Sequence, residues 1–196
     1  HSSPRRQRQM CIRDRVENMP SGTAIRPGDI LSMRNGKTIE VMNTDAEGRL
    51  IMADALAFAS ESKPDIICDV ATLTGAAYVA LGVEIGAVFS NNKVTLDSFL
   101  NSNNDGFENY HSLPLEQSYK SQIKSNIADM KNSGGRFGGA ITAALLLEEF
   151  VDDLDWVHLD IAGPARSRSN NPIYPEGGTG FGVLGYFNFL TNEANS

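Results

Sequence analysis

Residues 65–71 have the sequence DIICDVA, a mostly apolar run without alternation of polar and apolar side chains. A strand that is covered by helices on both faces of a parallel sheet has this composition. A second mostly apolar run, WVHLDI, occupies residues 156–161, where His158 and Asp160 alternate with apolar residues. These two segments are therefore predicted to be central strands of a buried sheet.

Helix and strand patterns alternate on both sides of these runs. The other predicted elements are strands at 29–33 and 38–42 joined by a hairpin at Asn35-Gly36, a helix at 50–60, a helix at 75–81, a strand at 85–90, short helices near Leu96 and Leu115, a helix at 140–151, a long loop at 163–180 and a helix at 181–192. Such alternation is typical of an α/β fold, in which helices cover the faces of a sheet.

The composition is that of a globular chain. Of 196 residues, 41% are hydrophobic and 21% are charged. The net charge is −7, but five of the 17 basic residues and one of the 24 acidic residues lie in the first fifteen, so residues 16–196 carry −11. An acidic body makes nucleic acid an unlikely partner, because phosphate binding needs a basic face. Two cysteines and no apolar segment long enough for a membrane span favour a cytoplasmic location.

The first fifteen residues, HSSPRRQRQMCIRDR, differ from everything that follows. They lack helical or strand periodicity and are too polar for a signal peptide. A basic arm that binds nucleic acid is one interpretation. The run QMCIRDR at 9–15, however, resembles the translation of a transposon end used in sequencing libraries. We therefore predict a non-native or disordered leader at 1–15 and the folded domain at 16–196.

Residues 43–50, NTDAEGRL, carry the clearest chemical pattern. Asp45, Glu47 and Arg49 stand at positions i, i+2 and i+4. On an extended segment these side chains project to one side, whereas on a helix residues two apart diverge. An extended conformation would thus direct two carboxylates and one guanidinium into the same space.

Two interpretations of this segment follow. Neighbouring carboxylates repel, so the extended form favours a divalent cation such as Mg²⁺, Mn²⁺ or Zn²⁺, with Arg49 facing an anion. The alternative is a plain helix N-terminus, with Asp45 as the cap, Glu47 in the first turn and Arg49 in solvent. Spacing alone does not separate the two.

NTDAEGRL resembles the signature octapeptide of the leucyl aminopeptidase family at all eight positions. Further similar stretches are ENMPSGTAIRPGDI at 17–30, DVATLTGA at 69–76, GGRFGGAITAA at 134–144, WVHLDIAGPA at 156–165 and GGTGFGV at 177–183. The resemblance implies an incomplete catalytic domain whose mixed central sheet is sandwiched between helices. It also implies a homo-hexamer that removes N-terminal residues such as leucine from peptide substrates.

The resemblance assigns roles to seven residues. Asp45 and Glu47 would be ligands of a two-metal site that holds Zn or Mn, with Glu47 bridging both ions. Arg49 would be catalytic and would hold a bicarbonate that acts as general base. The substrate-binding residues would be Thr72, Leu73 and Gly75, which bind the peptide backbone, and Ala162, which lines the pocket for the N-terminal side chain.

The chain also departs from the family pattern. The family's remaining metal ligands (a lysine and two aspartates) and a catalytic lysine precede the octapeptide, and residues 1–42 do not supply them. The resemblance therefore implies a truncated chain that is inactive alone. Leu184 stands where family members usually have arginine.

Other functions remain open at this stage. A role in interaction or assembly without catalysis is the main alternative, since some relatives of the family also bind DNA, although the acidic body speaks against DNA. A Mg²⁺ phosphotransferase is weaker, because the sequence has no phosphate-binding loop. Asp69 and Asp160, which lie on the two buried strands, are predicted to be hydrogen-bonded structural groups.

Overall fold

The computed structural model describes residues 22–104, 106–170 and 173–195; the predicted leader at 1–15 lies outside them. The strands are β1 (Ile30–Ser32), β2 (Thr38–Glu40), β3 (Ile66–Ala71), β4 (Ile85–Ser90), β5 (Asn109–Ser112), β6 (Met130–Lys131), β7 (Asp155–Asp160), β8 (Arg166–Ser167) and β9 (Gly177–Gly178). The α-helices are α1 (Glu47–Ser60), α2 (Gly75–Leu81), α3 (Lys93–Ser102), α4 (Gly139–Glu148) and α5 (Val183–Asn195), with 3-10 helices at Thr44–Ala46 and Gln117–Ile123.

The main sheet has four strands in the order β3-β7-β4-β5. β3 is parallel to β7, and β4 is parallel to β5, but β4 and β7 are antiparallel, so the sheet is mixed. The β3–β7 register pairs Asp69 with His158 and Ala71 with Asp160. Both strands therefore end at the same edge of the sheet.

Helices cover both faces of this sheet. α1, α2 and α4 pack on one face, where Ile67, Phe89 and Trp156 belong to the larger apolar core. α3 and α5 pack on the other, where Val157 and Leu159 meet side chains of both helices. Successive residues of a strand point to opposite faces of the sheet. Because helices cover both faces, the residues on each face are mostly apolar. The predicted α/β fold with a mixed central sheet between helices is confirmed.

A second sheet, in the order β1-β2-β6, leads the chain into the octapeptide. The predicted hairpin is present: β1 and β2 pair antiparallel, and Gly36 adopts a φ of 85° in the turn. The next residues after β2 run directly to Asn43. The hairpin thus fixes where the octapeptide starts.

Several predicted boundaries are wrong. The helix predicted at 50–60 begins at Glu47, because the second half of the octapeptide is already helical. The sequence pattern also misses β5 and β6 in the polar stretch 91–135, and β8 and β9 in the predicted loop 163–180. Among the described residues, every helix falls short of the length and apolarity that crossing a bilayer requires.

Candidate functional site

The candidate site lies where β3 and β7 end. The loop after β3 carries Thr72, Leu73 and Thr74, and the loop after β7 carries Ala162. In open α/β sheets, ligands bind outside the carboxyl ends of parallel strands, where the loops leave room between them. The start of α1 joins this edge, since a Cβ placed on Gly48 would lie 3.5 Å from Leu73 Cδ1.

The start of the octapeptide is held by a buried amide. Asn132 Oδ1 accepts hydrogen bonds from the backbone N–H groups of Met42 (2.8 Å) and Asn43 (3.2 Å). Its Nδ2 donates to the carbonyl oxygens of Asn43 (2.7 Å) and Ala46 (3.4 Å). Asn132 is fully buried, so these bonds replace the hydration that the backbone loses. The side chain fixes the octapeptide against the second sheet.

The octapeptide itself is not extended. Asn43 is in the β region and its Oδ1 accepts from Asp45 N at 3.0 Å, after which Thr44–Ala46 form a 3-10 helix and α1 begins at Glu47. The extended conformation is therefore wrong, and the backbone is helical as the alternative held. The details of that alternative differ: Asn43, rather than Asp45, caps the 3-10 helix, and α1 begins after Ala46 without a side-chain cap.

Asp45 and Glu47 lie at this helix start as exposed and half-buried acids. No described residue forms an ion pair with either carboxylate. Carboxylate oxygens suit divalent cations, so these two groups fit the chemistry of a metal ligand pair. Two ligands do not complete the four to six positions of such an ion, and the described residues contain no cluster of three or more His, Cys, Asp or Glu that could hold one. The described residues alone therefore do not form a complete metal site.

The helical alternative placed Arg49 in solvent, but the structure does not. Its Nε is buried without a hydrogen-bond partner among the described residues. Burial lowers the pKa of the guanidinium, and the nearby negative charge of Asp160 acts in the opposite direction. An arginine stays charged in a protein, so a cation with an unused donor lies at the site. Such a group suits a bound or transient anion.

Asp160 joins the two loops. Its Oδ1 accepts from Leu73 N at 3.0 Å, Thr74 N at 3.3 Å and Ala162 N at 3.2 Å, and its Oδ2 accepts from Thr74 Oγ1 at 2.6 Å. Asp160 is 1% exposed. Thr74 also caps α2, because its Oγ1 accepts from Ala77 N at 3.0 Å. Of the predicted substrate-binding residues, Leu73 and Ala162 are thus brought together, while Thr72 and Gly75 are exposed on either side of them.

A second carboxylate, the half-buried Asp69, lies two residues before the end of β3. Its Oδ2 accepts from Trp156 Nε1 at 2.6 Å, and its Oδ1 lies 2.5 Å from His158 Nδ1. Burial lowers the pKa of His158, but the charge and hydrogen bond of Asp69 outweigh it, so the pKa is raised overall. Asp69 and Asp160 are hydrogen-bonded, as predicted.

Sequence reasoning missed the importance of two residues. Asn132 stands in a polar stretch without periodicity, and no local pattern indicates that it reaches the octapeptide. Thr74 was passed over between Leu73 and Gly75, although a Ser or Thr before a helix is a recognisable cap.

Comparison with known proteins agrees with this geometry. The sequence profile described as "Cytosol aminopeptidase family, catalytic domain" matches residues 6–185. The chain belongs to the cytosol aminopeptidase family. The profile match begins within the first fifteen residues, and the domain boundary at residue 16 stays a prediction.

Members of the cytosol aminopeptidase family supply similar sequences. The probable cytosol aminopeptidase of Prochlorococcus marinus subsp. pastoris is 49% identical over 178 residues, which cover 90% of this chain and 36% of that protein. The protein of the same description from Syntrophotalea carbinolica is 51% identical, covering 91% of this chain and 36% of the relative. The chain therefore spans about a third of the length of the curated relatives it matches.

Two solved structures are similar to the fold. A lysine-to-glutamate mutant of tomato leucine aminopeptidase superposes with a TM-score of 0.83 at 44% identity, covering 89% of this chain and 34% of the other. The bottromycin maturation enzyme BotP gives a TM-score of 0.88 at 39% identity, covering 92% of this chain and 40% of the other. In both cases the similarity extends to the sequence as well as to the fold.

Proposed function

We propose that this chain is the C-terminal part of the catalytic domain of a metal-dependent aminopeptidase that removes N-terminal residues, preferentially leucine, from peptides. The single observation that carries the proposal is the convergence at one sheet edge of the octapeptide helix start, the loop after β3 and the loop after β7. The family relationship supports the reaction class.

Asp45 and Glu47 are the ligands that this chain contributes to a site for two divalent ions, Zn or Mn. When bound, two such ions supply Lewis-acid activation of a carbonyl and a nucleophile near neutral pH. The exposed carboxylate of Asp45 and the half-buried one of Glu47 meet no described cation, so their charge is available to metal ions. The remaining ligands would come from protein that precedes the octapeptide.

Arg49 acts on an anion rather than on the metals. Its buried Nε lacks a described hydrogen-bond partner, so a donor is directed into the site without being used by the fold. Arg49 would hold and orient a bicarbonate there, and such a group would supply general-base chemistry when bound. A cation in a desolvated site also lowers the energy of negative charge that develops during peptide cleavage.

The loop after β3 positions the peptide. Leu73 N is engaged by Asp160 and Thr74 caps α2, so backbone atoms of Thr72, Leu73 and Gly75 are held at fixed places beside Ala162. A peptide bound along this loop would have its first side chain beside Ala162, which lies half-buried in the loop after β7. We further propose a homo-hexamer in the cytoplasm as the working form.

The 196-residue chain is expected to be inactive alone on leucine amides with Zn²⁺ or Mn²⁺. Residues that act as a unit fail together, and this chain holds only two metal ligands and Arg49 of the proposed set. A chimera that joins the N-terminal region of the Prochlorococcus relative to residues 22–196 of this chain should recover metal-dependent turnover. Turnover by the isolated chain at the rate of the chimera would contradict the assignment.

Variants of the chimera separate the roles. Glu47→Gln should abolish tight binding of at least one metal, and Asp45→Asn should weaken binding less. Arg49→Ala should keep the metal content and lose turnover, by roughly 10²–10⁴-fold for a positioned proton carrier. Asp97→Asn, which changes an exposed carboxylate on α3, is the matched control. A Glu47→Gln chimera that retains both metals at normal affinity would exclude the dinuclear site.

A further inference from the structure

Asp160 is almost fully buried, although the charge of a carboxylate opposes its removal from water. The carboxylate is 1% exposed at the last position of β7. Moving an ionised carboxylate out of water is costly unless it is paired or fully hydrogen-bonded. Four donors surround it here, three on Oδ1 and one on Oδ2. Its burial is therefore tolerated because of the loops that bind it.

The four donors come from two separate loops. Leu73 and Thr74 follow β3, whereas Ala162 follows β7. Leu73 and Asp160, which its N–H contacts, are 87 residues apart in the sequence. These donors need acceptor oxygens at both ends of the side chain. A carboxylate has two such oxygens, whereas a neutral amide has one oxygen and one NH₂ donor. The carboxylate consequently fixes the distance between the two loops.

The negative charge of Asp160 also acts on Arg49 of α1, where it opposes the lowering of the guanidinium pKa by burial. No described residue forms an ion pair with Arg49.

We propose that Asp160 is a positioning residue that sets the relative placement of the loop after β3 and the loop after β7. This inference rests on the proposed function, since it concerns the geometry of that site. Asp160 acts through Leu73 and Ala162, to which the proposed function assigns contact with the peptide.

The test uses Asp160→Asn with Asp69→Asn as its matched control. Both substitutions change a hydrogen-bonded carboxylate on the main sheet, but Asp69 is half-buried and bonds Trp156 and His158 and no residue of the two loops. The first measurement is amide hydrogen exchange in the 196-residue chain. Asp160→Asn should speed exchange at Leu73, Thr74 and Ala162 by roughly 10- to 100-fold, while Asp69→Asn should leave the relative protection of these amides unchanged.

A second pair of variants removes dependence on the folding of Asp160→Asn. Thr74→Val deletes the hydroxyl that donates to Asp160 Oδ2, and Thr74→Ser keeps it. Faster exchange at Leu73 and Ala162 in the valine variant, with wild-type exchange in the serine variant, would support the inference. Thr74→Val also loses the cap on Ala77 N, so faster exchange confined to α2 would overturn it.

The third measurement is steady-state kinetics of the chimera. Asp160→Asn should raise KM for leucine amides and lower kcat by 10-fold or more, with metal content unchanged, because the two loops that position the peptide are displaced. A structural role alone would reduce the active fraction and leave KM as it is, as expected for Asp69→Asn. Exchange that is identical in wild type and Asp160→Asn overturns the inference whatever the activity. An unsubstituted chimera without turnover overturns the proposed function, and the exchange data then judge Asp160 independently.

Discussion

Gly163→Ala tests how closely two backbone segments approach each other beside the candidate site. Gly163 follows Ala162, and a Cβ added to it would lie 2.0 Å from the carbonyl oxygen of Gly82 and 3.1 Å from its carbonyl carbon. Gly82 ends α2 with a φ of 77°. Gly163 has no positive φ, so alanine suits its backbone, and the contact with Gly82 is what opposes the substitution.

The magnitude follows from this distance. The two segments would have to separate by at least about 1 Å to reach ordinary van der Waals contact. Overpacking of this kind costs about 1–3 kcal/mol, and the lower entropy of the unfolded alanine chain returns about 0.4–1 kcal/mol. We expect a net loss of about 1–2 kcal/mol in the free energy of unfolding. Since Ala162 is the neighbouring residue, the chimera should also show a higher KM.

Urea unfolding of the 196-residue chain measures the effect, with Gly178→Ala as the control. Gly178 has no atom within 4 Å of an added Cβ and no positive φ, so that variant should unfold at or above the wild-type midpoint. For a chain of this length, 1 kcal/mol corresponds to about 2–4 °C in Tm. A Gly163→Ala chain as stable as Gly178→Ala would refute the close approach of the two segments.

The remaining predictions concern buried ionisable groups. Burial, with smaller contributions from Asp69 and Glu193, raises the pKa of Cys68 to about 12. In a Cys11→Ser chain the Cys68 thiol should therefore resist a disulfide reagent at pH 8 and react on unfolding. Rapid labelling of the folded chain would contradict this shielding of the thiol. The same shift predicts a loss of stability as pH rises from the unfolded thiol pKa of about 8.5 toward 12. His158 has a raised pKa, so its stabilisation by Asp69 should be fully present below about pH 6.5 and decline as pH rises through the folded pKa. Tm measured against pH should fall more steeply there in wild type than in His158→Asn, and parallel curves would exclude a protonated His158.

Much of the fold was predictable because burial leaves a direct record in the sequence. The runs at 65–71 and 156–161 are both mostly apolar, and both are strands covered by helices, β3 and β7. β5 was not predictable in this way. It alternates exposed and half-buried positions over only four residues in a polar region, and it becomes a strand through its pairing with β4. Tertiary pairing overrides local pattern at such positions.

The octapeptide shows the opposite limit. Spacing at i, i+2 and i+4 was compatible with extended and helical backbones, and the extended one was the more attractive chemically. The segment is helical because Asn43 caps the 3-10 helix that precedes α1 and Asn132 fixes the start of the octapeptide. Asn132 is 89 residues away along the chain, so no window around the octapeptide contains the information. Chemistry was visible in the motif, whereas its conformation depended on a distant partner.

Strand β7 shows how one strand can serve both the core and the site. Trp156, His158 and Asp160 alternate with Val157 and Leu159, so they share one face of the sheet. Polarity increases along that face: Trp156 is core, His158 pairs with Asp69, and Asp160 binds two loops. An apolar residue in place of Asp160 would leave four donors without acceptors, so packing alone cannot explain an acid there. The fold requires strand residues at this edge, but the choice of a carboxylate is explained by the loops of the candidate site.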